Sequence, residues 1–155
     1  MWDSVEEKGR FVAELLGQHR YQLDAKGRIA LPSRFREPFA EGAYLTLGQD
    51  GCLYVFPREE FQRQSEEVRG LRPMARQSGR GYARMFFGNA DRVELDGQGR
   101  LTIPQRLRSQ IGLEREAVVV GVYDHLEIWS GSSWDAYERD QMGAYSSGVL
   151  EPEDR

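Results

Sequence analysis

Apolar residues in this chain gather into short alternating runs separated by turn residues, and the runs come in two matching sets. In the first, Ala43-Tyr44-Leu45-Thr46-Leu47-Gly48 leads to Cys52-Leu53-Tyr54-Val55-Phe56-Pro57 and then to Phe61. In the second, Glu116-Ala117-Val118-Val119-Val120-Gly121 leads to His125-Leu126-Glu127-Ile128-Trp129-Ser130 and then to Trp134. Runs of this kind around Gln49-Asp50-Gly51 and Tyr123-Asp124 predict strands joined by tight hairpins, with Gly51 able to supply positive φ without a Cβ clash. Upstream of each set lies another turn, Ala25-Lys26-Gly27 or Gly97-Gln98-Gly99, followed by Pro32 or Pro104. Proline there marks the passage from strand to helix, where its missing N–H costs nothing. The helices it opens, at Ser33 to Arg36 and Gln105 to Arg108, are short because Pro38 and Gly112 follow, and they need packing to persist. Each half therefore reads strand, turn, strand, short helix, strand, turn, strand, helix.

Part of the repetition is literal. Leu23-Asp24-Ala25-Lys26-Gly27-Arg28-Ile29-Ala30-Leu31-Pro32-Ser33-Arg34-Phe35-Arg36 returns 72 residues later as Leu95-Asp96-Gly97-Gln98-Gly99-Arg100-Leu101-Thr102-Ile103-Pro104-Gln105-Arg106-Leu107-Arg108. A fixed period means two copies of one supersecondary unit. Units of this size are small for separate cores, so packing together or interleaving is expected. Between them, Phe61, Val68 and Leu71 can share a helical face until Pro73 interrupts it. Met74, Tyr82, Met85, Phe86 and Phe87 form an apolar group for the neighbouring half or a neighbouring subunit, although Gly79 and Gly81 weaken that stretch as a helix. Trp129 and Trp134 are expected to anchor the last strand and helix, and Ser146 to Arg155 reads as a disordered tail.

Charge changes the picture more than composition does. The 155-residue chain carries a net charge of −4, which taken alone argues against a nucleic-acid partner. The charges are segregated, however. Arg20 to Arg36 holds five basic residues and one acid; Arg69 to Gly88 holds five arginines and no acid; Arg92 to Arg108 holds four arginines and two acids. Asp135 to Arg155 holds six acids and two arginines. Separated poles of this kind suit one face to a polyanion. The single cysteine, Cys52, fits a reducing cytoplasm, and His19, His125 and Cys52 show no metal-ligand spacing. No apolar run approaches the ~20 residues of a membrane span, and the N-terminal stretch bearing Asp3, Glu6 and Glu7 lacks a secretory core.

The candidate chemistry sits in the repeated phrase. Asp24 and Arg28, like Asp96 and Arg100, are expected to straddle a glycine-bearing hairpin. The carboxylates can serve as turn-stabilising partners of the arginines or as part of a binding surface. Arg28 and Arg100 leave the turns onto strands, and a planar guanidinium fork is what reads guanine O6 and N7. Lys26 suits a phosphate as a point charge, whereas Gln98 at the matching place can only hydrogen-bond. Arg34, Arg36, Arg106 and Arg108, on the short helices, either hold the DNA backbone or form a solvated face.

Leu-Asp-x-x-Gly-Arg-[Ile/Leu]-x-[Leu/Ile]-Pro, written twice in one chain, resembles the AbrB-like swapped-hairpin DNA-binding superfamily. More closely, it is similar to the MraZ family of bacterial transcriptional regulators associated with the division and cell-wall gene cluster. The likeness extends over most of the chain, including Gly17 to Arg28 and Arg80 to Ala90. It implies an α+β fold, mostly β: two tandem AbrB/MraZ-like swapped-hairpin units packed about a pseudo-twofold, with short helices. The organisation implied is an N-terminal extension at 1–15, a first SpoVT-AbrB-like repeat at 16–72, a linker helix region at 73–90, a second repeat at 91–137, and a helix end with acidic tail at 138–155. The extension and Gln98 are departures from the family pattern. The resemblance further implies a cytoplasmic, nucleoid-associated protein that assembles into a ring-like homo-oligomer and binds tandem G-rich repeats of double-stranded DNA at its own promoter. The DNA-facing residues it implies are Asp24, Lys26, Arg28, Asp96 and Arg100, while Arg34, Arg36, Arg106 and Arg108 are candidates from the short helices alone. No cofactor, metal, membrane or small-molecule substrate is expected. A rival reading is an antitoxin-like interaction module whose acidic tail binds a basic partner. Catalysis is not expected, since no Ser/His/Asp or Cys/His grouping appears.

Overall fold

The strands of the two repeats interleave. The computed structural model describes residues 14–71 and 77–148. The first repeat supplies β1 (Leu15–Gln22), β2 (Arg28–Ala30), two single 3-10 turns (Ser33–Phe35 and Glu37–Phe39), β3 (Ala43–Leu47), β4 (Leu53–Pro57) and α1 (Arg58–Leu71). After α2 (Gln77–Gly88), the second supplies β5 (Asp91–Val93), β6 (Arg100–Thr102), α3 (Gln105–Gln110), β7 (Glu116–Tyr123), β8 (Leu126–Ser130) and α4 (Gly131–Ser147). Both halves follow the element order expected from their apolar runs, and the α+β class with repeated units is what the chain adopts.

Six strands form one antiparallel sheet in the order β1-β7-β8-β4-β3-β5, while β2 and β6 pair separately as a ribbon, so the turns at 24–28 and 96–100 join strands of different sheets instead of closing the hairpins expected there. β1 pairs along its whole length with β7 of the other repeat, from Leu15↔Tyr123 to Gln22↔Glu116. β5 pairs with β3 in the corresponding way. Exchanging the repeats reverses the strand order without changing it, so a pseudo-twofold passes between β4 and β8 and through the Ile29↔Leu101 pair of the ribbon.

Alternation decides which face is buried where. Leu45, Val55, Val119 and Ile128 point to one face and form a core with Ile29 and Leu101 of the ribbon. Phe35 and Leu107 join the same core, each at most 1% exposed. Full burial of such a side chain is worth roughly 1.5–3 kcal/mol, which is why a 3-10 turn and a helix of six residues persist at all. The opposite face is covered by helices. Phe61 of α1 stacks on Tyr44 with ring centroids 4.7 Å apart, and Phe56, Val68, Ala83 and Phe86 close that cluster. Trp134 of α4 meets Trp129 edge-on at 5.2 Å over Val118. Phe61 and Trp134 thus fill equivalent places.

Several expectations change in detail. α2 is helical through both Gly79 and Gly81, and the reason at Gly79 is steric: a Cβ there would lie 2.5 Å from the Leu71 carbonyl oxygen. Leu71 does not share the buried face of Phe61 and Val68 and is 42% exposed. α4 continues through Ser146 and Ser147 and ends at Gly148, whose φ of 72° closes the helix. The rest of the expected tail, residues 149–155, lies outside the described residues, as do residues 1–13 of the extension, Pro73 and Met74.

Candidate nucleic-acid interface

Each glycine turn is organised by its aspartate. Asp24 Oδ1 accepts from the backbone N–H groups of Lys26 (2.9 Å) and Arg28 (3.0 Å), while Oδ2 accepts from Arg28 Nε at 2.7 Å. Asp96 repeats the pattern with Gln98 N, Arg100 N and Arg100 Nε at 2.9, 2.9 and 2.7 Å. Gly27 and Gly99 complete the turns at φ +75°, a conformation that favours glycine. The Arg28 backbone N–H, followed by its guanidinium and the Lys26 N–H, holds the Asp24 carboxyl below its ordinary range. The same groups around Asp96, the Arg100 N–H foremost, bring its pKa to about 2. The carboxylates therefore stay ionised, and each occupies one edge of its arginine through Nε. Four of the five guanidinium N–H donors sit on the two Nη atoms, beyond that contact.

The ribbon places both arginines on one face. Arg28 lies opposite Thr102 and Arg100 opposite Ala30. Because Ile29 and Leu101 turn into the core, the other four side chains share the outward face, where Ala30 and Thr102 are exposed. Arg28 and Arg100 are diagonal neighbours there, a separation of roughly 7–8 Å along a paired ribbon. A two-stranded ribbon is also an element that the DNA major groove admits. The two turns lie at opposite ends of it. Lys26 and Gln98 are exposed at their tips.

The helix arginines divide into two pairs. Arg34 bonds His19 Nε2 at 2.9 Å and lies 4.8 Å from the centroid of the Phe35 ring. Burial, aided by the Arg34 charge, lowers the His19 pKa, so the neutral ring accepts the bond. Arg106, the matching residue, donates to Asn89 Oδ1 at 2.5 Å. Arg36 and Arg108 instead donate through Nε to carbonyls of their own repeats, Leu31 O at 3.0 Å and Ile103 O at 2.9 Å. Their guanidinium groups then lie against Gly99 and Gly27, the turn glycines of the opposite repeat.

No local signal in the sequence marks His19 or Asn89 as partners of these arginines, because they reach them only through the fold. Arg20, counted with the basic stretch, is paired with Asp135 of α4 at 2.5 Å.

A family model described as "MraZ protein, putative antitoxin-like" matches residues 15–79 and again 86–147, one copy on each repeat. The chain belongs to the MraZ family. A protein of Salinispora arenicola named "Transcriptional regulator MraZ" is 43% identical over 138 residues, covering 87% of this chain and 96% of its own length. One from Parafrankia sp. with the same name is 48% identical over 131 residues, 84% of this chain and 91% of that one. A third, from Saccharopolyspora erythraea, is 46% identical over 122 residues, 79% and 85% of the two chains. The MraZ matches thus span both Asp-x-x-x-Arg turns and the ribbon that joins them.

Proposed function

We propose that this chain is a sequence-specific DNA-binding transcriptional regulator, a repressor of the division and cell-wall gene cluster acting on tandem G-rich repeats at its own promoter. The observation that carries the reading is the shared outward face of the β2–β6 ribbon, where Arg28 and Arg100 are each held by an aspartate through Nε. Arginines fixed in this way lose little side-chain freedom on binding, and their Nη groups suit the O6 and N7 acceptors of guanine. Lys26, Arg34 and Arg106 contact phosphates, and Arg36 and Arg108 line the same surface. With Gln98 in place of a lysine, the second turn contributes less to affinity. The names carried by the relatives support regulation of transcription.

The functional unit is a ring-like homo-oligomer associated with the nucleoid. Two exposed apolar patches on different parts of the chain support self-association: Leu71, Tyr82 and Met85 on α1 and α2, and Leu16, Val122, Met142 and Tyr145 along β1, β7 and α4. Several modest contacts on one ring raise apparent affinity for a repeated site without any new contact type.

Gel retardation of the protein's own upstream region across a salt series tests the proposal. Retardation should survive competitor DNA and weaken steeply with salt. Arg28→Ala should lose promoter selectivity, at a cost of about 1–3 kcal/mol per base contact, while the oligomer stays intact. Normal retardation by Arg28→Ala would remove that residue from the interface. A second reading, an antitoxin-like interaction module, is favoured by the family description. It requires that the Asp-x-x-x-Arg turns be dispensable and that a basic partner be captured by the acidic stretch at 135–155.

A further inference from the structure

We infer that Arg36 and Arg108 are positioning residues, each bracing the DNA-facing turn of the opposite repeat. The inference takes its functional consequence from the DNA-binding reading above, but its structural content stands on geometry alone. The Leu31 N–H donates to the Gly99 carbonyl at 3.1 Å, and the Leu31 carbonyl accepts from Arg36 Nε at 3.0 Å. Arg36 is thereby laid across the second turn: a Cβ on Gly99 would fall 2.5 Å from Arg36 Cζ and 2.6 Å from its Cδ. The other repeat does the same in reverse. The Ile103 N–H donates to the Gly27 carbonyl at 2.9 Å, and Arg108 Nε donates to the Ile103 carbonyl at 2.9 Å. A Cβ on Gly27 would lie 2.6 Å from Arg108 Cζ.

Each turn is thus gripped from two sides. Its own aspartate ties the amides and the reading arginine; the arginine of the other repeat closes over its glycine. Gly27 and Gly99 serve twice, adopting positive φ and leaving a flat seat for a guanidinium. The planar, delocalised group fits such a seat where an ammonium does not. The crossing ties the turn at one end of the ribbon to the short helix of the repeat at the other, so the two reading arginines keep a fixed separation. This couples the repeats at the place where a shift of register would matter most.

Two measurements separate bracing from direct phosphate contact. The first is amide hydrogen exchange on the full chain without DNA. Arg108→Ala should speed exchange at Lys26, Gly27 and Arg28 by about tenfold, the effect of losing one net hydrogen bond, with a smaller change at Gln98, Gly99 and Arg100. Arg36→Ala should show the reverse. Equal change at both turns, or none at either, would overturn the brace. Arg108→Lys keeps the charge and guards against a variant that simply unfolds; it should leave the first turn as exposed to exchange as Arg108→Ala does, and full rescue by lysine would reduce the role to a point charge and overturn the inference. The second measurement is the salt dependence of binding to the upstream region. A brace predicts that Arg108→Ala narrows the ratio of specific to non-specific affinity while the log–log salt slope is unchanged. A slope smaller by about 0.9 with selectivity intact, the mark of one lost phosphate contact, would overturn it. Should the unaltered protein show no selective DNA binding, the DNA reading falls and the exchange measurement alone decides the brace.

Discussion

Asp24 and Asp96 each use both carboxylate oxygens within their own turns, where they hold two backbone amides and the Nε of one arginine. The pairing has a pH signature. The Arg100 backbone N–H first, then its guanidinium and the Gln98 N–H, bring the Asp96 pKa from 3.8 to about 2. A carboxyl depressed in the folded state contributes stability that is complete above its ordinary pKa and is lost as pH falls through the folded value. The contribution of Asp96 is therefore present at neutral pH and disappears from about pH 4 to about pH 2. Asp96→Asn should have a lower urea midpoint than the parent chain at neutral pH, and the difference should close across that window; a difference independent of pH would mean that the charge plays no part. Cys52 offers a second residue-scale expectation. Burial, reinforced by the Glu127 and Asp50 charges, pushes its thiol pKa well up, so the native chain should resist alkylation at mildly alkaline pH until denaturant is added.

At the scale of elements, glycine placement separates two effects that are usually confounded. Gly79 and Gly81 both lie inside α2, where alanine is ordinarily better by about 1 kcal/mol. At Gly81 an added Cβ meets nothing within 4 Å, so Gly81→Ala should raise stability by up to that amount. At Gly79 the Cβ would sit 2.5 Å from a backbone carbonyl at the end of α1, so Gly79→Ala should lower it. Urea denaturation of the two variants decides, and a gain at both would mean that α2 does not cross α1 so closely. The same contrast explains what was legible beforehand. Strands, turns and short helices were readable because period, proline and glycine are local signals. The duplicated phrase likewise exposed the Asp-x-x-x-Arg turns. The pairing of β1 with β7, the crossing of Arg108 onto Gly27 and the capture of Arg20 by Asp135, 115 residues away, depend on the fold and leave no local trace. For that reason Gly79 looked only like a helix breaker, and all four helix arginines looked alike.

For the whole molecule, the pseudo-twofold is incomplete in an informative way. α2 covers the sheet beside α1 over Tyr44 and Phe56, and among the described residues no helix takes the equivalent place beside α4. There the outer face keeps Val122 42% exposed, opposite Leu16 at 56%. Asp135 and Glu138 bond Arg20 and Gln18 of β1, and the same stripe of α4, carried onward, presents Met142 and then Tyr145, 84% exposed, toward the Leu16 end. The second patch, with Met85 58% exposed, belongs to the α1–α2 side. Two unlike patches that meet each other make a head-to-tail contact, which closes into a ring when the rotation permits; patches that each meet their own kind make twofold dimers. Mixing distinguishes these. In a head-to-tail assembly Met85→Glu and Met142→Glu each destroy one side of every interface, so each variant alone sediments as a monomer. Mixed in equal amounts, they retain one good patch apiece and form a heterodimer that cannot grow. If instead each variant alone is already a dimer, each patch meets its own copy, and a ring built by one repeated contact is excluded. Where the head-to-tail result holds, the DNA-binding reading proposed above expects the mixed dimer to bind a single G-rich element but to lose any gain from tandem elements, since such a gain comes from linked sites.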